Sequence, residues 1–129
     1  MSRFLLDTHI ALFGLAEPER IPARIRETLD EGTIYLSVIS FWEVALKSMK
    51  KKLDVGDPRN WWAQALERYG ATALPLRPEH ISVLCSLEPV HQDPFDRALV
   101  AQAIGEDLTL VSFDAEIRKY ASDCLRVLS

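Results

Sequence analysis

What most constrains this chain is the alternation of short apolar runs with stretches of helical spacing. Phe4-Leu5-Leu6, Thr33-Ile34-Tyr35-Leu36-Ser37-Val38, Thr72-Ala73-Leu74-Pro75-Leu76 and Leu108-Thr109-Leu110-Val111-Ser112 are each apolar or β-branched and short. Such runs suit strands in a sheet covered on both faces, where branched and aromatic side chains pack on a pleated surface. Leu125-Arg126-Val127-Leu128 is a weaker last strand, and Pro75, which cannot donate to a ladder, puts the third run at a sheet edge. Strands alternating with helices predict an α/β fold, a parallel sheet with helices on both faces. A chain of 129 residues with no internal repeat, low-complexity segment or linker predicts one domain over residues 1–129.

The helices between the runs carry recognisable starts and stops. Residues 8–16 read as a helix, although Gly14 weakens it. Pro22 opens the next helix, Ile21, Ile25 and Leu29 share one face of it, and Gly32 is its expected C′ stop. Ser40 and Glu43 have the spacing of a capping box, which predicts a helix running to about residue 52. Trp42, Leu46, Met49 and Leu53 form a stripe on it that suits core or a subunit interface. Lys47, Lys50, Lys51 and Lys52 crowd its C-terminal end, where they can offset the helix dipole or form a phosphate-contacting rim. Glu43 and Lys47 can also form an i, i+4 pair.

Asp57-Pro58 opens a further helix that Gly70 stops, with Trp61 and Trp62 expected to be buried rather than stacked on bases. Residues 78–87 form a short helix. Asp93-Pro94-Phe95-Asp96 is the sharpest helix start in the chain. Asp93 is a good N-cap, Pro94 fits the first helical position, and Asp96 lies at the positive end of the dipole. That helix ends near Gly105, and residues 115–120 form the last one.

Composition narrows the function. A formal net charge of -4 argues against a surface that holds nucleic acid through charge alone. The two cysteines, Cys85 and Cys124, form no C-x-x-C pair and are too few for a zinc framework, so both read as buried small hydrophobes in a reducing cytosol. No run approaches the ~20 apolar residues of a membrane span, and the apolar start is too short for a signal peptide. These features predict a soluble, cytoplasmic protein.

In an open parallel sheet, ligands bind beyond the carboxyl ends of the strands. Asp7 ends the first strand, Glu43 follows the second, Asp114 ends the fourth, and Asp93 and Asp96 open the helix that leads into the fourth. Each acid has a local use as a cap or turn residue, but together they make a costly cluster of like charge without cations. Hard carboxylate oxygens, with no cysteine and no clear histidine set, suit Mg²⁺ or Mn²⁺. His9 and His91 stand near acids but in no recognised ligand spacing, and His80 carries no special signal.

Several of these stretches together resemble a PIN domain. They are Leu5-Leu6-Asp7-Thr8-His9, then Ser40-Phe41-Trp42-Glu43 with Lys47, then His91-Gln92-Asp93-Pro94-Phe95-Asp96-Arg97 with Ala101-Gln102-Ala103, and Ser112-Phe113-Asp114. More narrowly, the chain resembles the toxin ribonuclease of a VapBC toxin–antitoxin pair. The resemblance implies a sheet of order 3-2-1-4-5 between helical layers and a divalent-metal endoribonuclease that is usually dimeric and held inactive by a cognate antitoxin. It maps the family's acids onto Asp7, Glu43, Asp96 and Asp114, with Asp7 and Asp96 as direct metal ligands. Asp93 belongs to the same run, with a ligand role beside its cap role. Ser112 stands where threonine is more usual and can orient a neighbour, while Lys47 and Arg97 can meet phosphate oxygens or pair with acids. The Gly-Lys-Leu common after the family's helix is here Lys51-Lys52-Leu53.

The implied reaction is hydrolysis of an RNA phosphodiester by water, leaving a 5′-phosphate and a 3′-hydroxyl. Two other readings compete. One is a Mg²⁺-dependent phosphatase or phosphotransferase with Asp7 as nucleophile, although His9 stands where a haloacid-dehalogenase-like enzyme would carry a second Asp. The other is a non-catalytic module that keeps the fold to bind protein or RNA.

Overall fold

The central strand is β1 (Arg3–Leu6), whose Leu5 and Leu6 are fully buried. The structure, a computed structural model, describes residues 2–89, 92–122 and 124–129. β1 pairs in parallel with β2 (Thr33–Ser37) on one side and β4 (Thr109–Val111) on the other. β3 (Thr72–Leu74) joins β2, and β5 (Val127–Leu128) joins β4, so the sheet order is β3-β2-β1-β4-β5. The third run is therefore an edge strand, as its proline requires, and it stops before Pro75.

The connections are helical: α1 (Thr8–Ala16), α2 (Ala23–Asp30), α3 (Val38–Met49), α4 (Pro58–Tyr69), α5 (Pro78–Ser86), α6 (Pro94–Glu106) and α7 (Ala115–Arg118). Parallel neighbours require such crossovers. Successive residues of β1 point to opposite faces and build two cores. Phe4 and Leu6 pack with Ile10, Ile25, Leu36, Val44 and Trp61, while Leu5 packs with Ile39, Leu99, Leu110, Ile117 and Leu125.

Two glycines are explained by close approach. A Cβ on Gly14 would lie 1.8 Å from the Tyr69 hydroxyl, which donates to the Ala11 carbonyl at 2.7 Å. Gly32 does follow the end of α2, but not as a left-handed stop: a Cβ there would meet the Phe4 ring at 2.4 Å. Gly70 is the left-handed cap, with φ 57°, that ends α4.

Other expectations are corrected. The second strand runs straight into α3, so Ser37, not Ser40, is its N-cap and accepts from the Ile39 N–H at 2.9 Å. Ser40 lies inside the helix, which ends at Met49 rather than near residue 52. The predicted stripe on α3 is split: Leu46 is partly buried, but Trp42 is 59% and Met49 79% exposed. Cys85 and Cys124 are exposed, not buried. His80 is buried. Its Nδ1 accepts from the Arg77 N–H at 3.0 Å, and its Nε2 lies 3.3 Å from Glu106 Oε2.

Candidate active site

The register sets the site. Leu6 pairs with Val111, so Asp7 and Ser112 leave the sheet side by side at its carboxyl edge. The Asp7 N–H still donates to the Val111 carbonyl at 3.0 Å, while its carboxylate caps α1 through the Ile10 N–H at 2.8 Å. The buried Ser112 hydroxyl serves two acids. It hydrogen-bonds the Asp7 carboxylate and accepts from the Asp114 N–H at 3.0 Å. Asp114 in turn caps α7, accepting from Glu116 N–H at 2.7 Å. Burial pushes the Asp7 carboxyl above the usual carboxylate range. Hydrogen bonds from Ser112 and Ile10 and the nearby His9 partly oppose this, and the Asp114 charge adds to it.

The other half comes from α3 and α6. Glu43, in the second turn of α3, is 1% exposed. Its Oε2 takes the Lys47 ammonium at 2.6 Å, and its Oε1 is buried with no hydrogen-bond donor among the described residues. Asp96, in the first turn of α6, is also almost fully buried, and Asp93 caps that helix through the Phe95 N–H at 2.9 Å. Partial burial disfavours the Lys47 charge, but the hydrogen bond and charge of Glu43, with Asp93 and Asp96, hold its ammonium above the usual lysine range. Arg97 buries its Nε without an acceptor among the described residues.

Local pattern did not reveal what joins the two halves. Thr8, next to Asp7, and Ser40, three residues before Glu43, meet through their buried hydroxyls at 2.9 Å. Gln102 then fixes α6 against the sheet. Its Oε1 accepts from the Ser37 hydroxyl, and its amide donates to the Pro75 carbonyl at 3.2 Å. The only sequence signal for this was one amide inside the apolar Ala101-Gln102-Ala103 run.

The structure thus links Asp7 and Asp114 through Ser112, and sets Lys47 in the field of Glu43, Asp93 and Asp96. His9 lies on the exposed rim, and His91 falls outside the described residues. Among the described residues no three His, Cys, Asp or Glu side chains converge tightly enough to enclose an ion by themselves. The donor set still fits a hard cation. Mg²⁺ keeps several waters and usually takes only one or two carboxylates. The orphaned Glu43 Oε1 is an acceptor for such a cation or its water, and loss of a proton from Asp7 would be favoured by the added positive charge.

Comparison with known proteins agrees with this fold. The family model for the PIN domain matches residues 4–123. Ribonuclease VapC22 of Mycobacterium tuberculosis (strain ATCC 25618 / H37Rv) is 26% identical over 122 residues, covering 93% of each chain. The fold is similar to that in the VapBC2 structure from Rickettsia felis bound to a promoter DNA fragment, with a TM-score of 0.75 and 16% identity over 98% of this chain and 97% of that one. It is also similar to VapBC-5, a member of the VapBC family of toxin-antitoxin systems from Mycobacterium tuberculosis, with a TM-score of 0.63 and 15% identity over 99% and 98% of the two chains. With its acids assembled at the carboxyl edge of a 3-2-1-4-5 sheet and the family pattern matched nearly end to end, the chain belongs to the PIN domain family.

Proposed function

We propose that this protein is a divalent-metal-dependent endoribonuclease, the toxin of a toxin–antitoxin pair. The observation that carries the reading is the buried Glu43 carboxylate, with one oxygen on Lys47 and the other without a donor among the described residues, in a protein that also buries Asp7 and Asp96 almost fully. A buried carboxylate oxygen without a donor is costly, so it points to a cation or a water held by one. The ribonuclease relative and the VapBC neighbours support the same substrate and partner class.

In this reading Asp7 and Asp96 hold Mg²⁺ or Mn²⁺ directly, with Glu43 and Asp114 completing the shell or holding its waters. Once bound, the ion supplies charge stabilisation at the phosphate and lowers the pKa of a water. Ser112 fixes the Asp7 carboxylate and, through the Asp114 N–H, the neighbouring backbone. Asp93 sets the start of α6 and so the position of Asp96. Lys47 and Arg97 stand ready for phosphate oxygens. Water attacks phosphorus in line, the bond to the 3′ oxygen breaks, and that oxygen takes up a proton. The products are a 3′-hydroxyl and a 5′-phosphate.

The exposed outer face of α3, with Trp42 and Met49, supplies apolar surface for a second copy of the chain, and the antitoxin covers the acidic edge. No described helix is long and apolar enough to cross a membrane. The test is expression with and without the small protein encoded beside the chain, followed by end-group analysis of cleaved RNA. We expect growth arrest and 5′-phosphorylated fragments that the neighbour suppresses. A chain that is harmless alone and leaves RNA intact in Mg²⁺ and Mn²⁺ would overturn the reading.

A further inference from the structure

We propose that Gln102 is a positioning residue for the acidic centre: it holds α6, which carries Asp96, against the start of α3, which carries Glu43. The proposal rests on the metal-dependent nuclease reading and adds to it a residue that touches neither metal nor substrate. Gln102 is fully buried in the otherwise apolar middle of α6. Asp96 precedes it on the same helix by less than two turns.

The bonds around Gln102 have one orientation. Ser37 Oγ caps α3 by accepting from the Ile39 N–H at 2.9 Å, and its own hydrogen goes to Gln102 Oε1. The Pro75 carbonyl can only accept, and it takes the Gln102 amide N–H at 3.2 Å. Turning the amide over would set its oxygen against that carbonyl, so the side chain cannot be reversed without losing the bond. The same amide nitrogen lies 3.4 Å from His80 Nδ1. One side chain of α6 therefore meets the cap of α3, the residue that follows β3, and α5.

These bonds bear on the acids because a helix moves as a unit. Glu43 lies less than two turns beyond its helix cap, Ser37. The two helices also touch at a second point, where the Trp42 and Phe95 rings meet edge-on with centroids 5.0 Å apart. Those residues directly precede Glu43 and Asp96. Two separated contacts fix how α3 and α6 cross. The ring contact tolerates sliding, whereas the Ser37–Gln102 bond is directional. Lys47 of α3 stands in the field of Asp93 and Asp96 of α6, so the crossing also sets the spacing of these charges. A buried amide kept only for bulk is replaceable by an apolar side chain of the same shape, but a satisfied polar network specifies one arrangement.

The experiment titrates the full chain with Mn²⁺ by calorimetry, without RNA, beside thermal melts without metal. Gln102→Met keeps the bulk and removes both polar ends. Ser37→Ala removes the other side of the same bond, and carries the test alone if Gln102→Met does not fold. Each should weaken Mn²⁺ binding by about tenfold, the scale for residues that orient metal ligands from outside. Combining the two should cost markedly less than the two losses together, because both break one link. Ile25→Val, a buried change in the other core, should lower the melting temperature and leave Mn²⁺ affinity unchanged. Folded variants that melt lower yet bind Mn²⁺ as the wild type does would overturn the proposal, since Gln102 would then serve stability alone. Losses that add in full, or an equal loss in Ile25→Val, would overturn it too. In each of these results the wild type still binds Mn²⁺ and the nuclease reading stands. A wild type that binds no Mn²⁺ overturns that reading and this proposal with it.

Discussion

The two halves of the acidic edge are held by different means. On the β1–β4 side, Asp7 and Asp114 are helix caps that accept from backbone N–H groups at 2.8 and 2.7 Å, with Ser112 bridging between them. These contacts are local consequences of strand ends and helix starts, and they need no opposing charge. On the α3 side, Glu43 caps nothing. It is buried in mid-helix and rests on one ammonium at 2.6 Å. The difference teaches that the first half is built by backbone geometry and the second by cations. The first should keep its shape without metal, and the second should respond to every change in positive charge.

Changing the charge-built half should have the largest effect. Glu43→Gln keeps the side chain's shape but removes the charge, and we expect RNA cleavage to fall by roughly 10²-fold or more, with weaker Mg²⁺ binding in calorimetry. Near-wild-type cleavage by a folded Glu43→Gln protein would mean that the α3 half is only structural.

Lys47→Met removes the cation and strands the carboxylate. Breaking a buried ion pair costs ~3–5 kcal/mol, and the partial exposure of Lys47 brings our expectation down to about 2 kcal/mol without metal. Mg²⁺ should restore part of that loss in thermal melts. An equal loss with and without Mg²⁺ would break the comparison, because it would show that packing of the lysine stem matters and its charge does not.

The cap-built half gives a smaller effect that depends on pH. Asp7 has a folded pKa above its unfolded value, so its protonated form favours the fold, and stability is lost as pH rises through the folded value. Asn caps a helix as well as Asp, so Asp7→Asn removes that loss without removing the cap. Metal-free Asp7→Asn should therefore melt higher than the wild type near neutral pH. The margin should vanish below pH ~4, where the wild-type carboxyl is protonated in both states. A melting temperature below the wild type's across that range would show that the ionised carboxylate is worth more to the fold than its burial costs.

Much of this was legible in the sequence because the signals are local. Strand ends, Asp57-Pro58 and Asp93-Pro94 each announce a boundary within a few residues, and the β-α alternation places the acids on one edge. Long-range contacts left no such mark. Ser40 and Glu43 have capping-box spacing, yet Ser37 caps the helix from the end of β2, and Ser40 is used 32 residues away by Thr8. Gly14 looks like a helix weakness until Tyr69 is seen against it. His80 and Gln102 gave little sign of burial, since their partners, Glu106, Ser37 and Pro75, come from other elements. The spacing of Trp42 and Met49 defined a face but not what covers it, and the tendency of free cysteines to be buried did not hold for Cys85 and Cys124.

The central claim is that the acids at this edge serve a metal and do more than cap helices. Asp96 tests it most directly, because in the first turn of α6 it has a complete alternative role as a dipole partner. The measurement pairs the melting temperature of Asp96→Asn, with and without Mg²⁺, with its cleavage of single-stranded RNA. Asp30→Asn, at the end of α2, serves as the control that should change neither. The account predicts that Asp96→Asn loses its Mg²⁺-dependent stabilisation and slows cleavage by orders of magnitude, while its metal-free stability stays level or rises as one repelling carboxylate is removed. An Asp96→Asn protein that loses only a few tenths to ~1 kcal/mol of stability, and keeps both its response to Mg²⁺ and its cleavage rate, would contradict it.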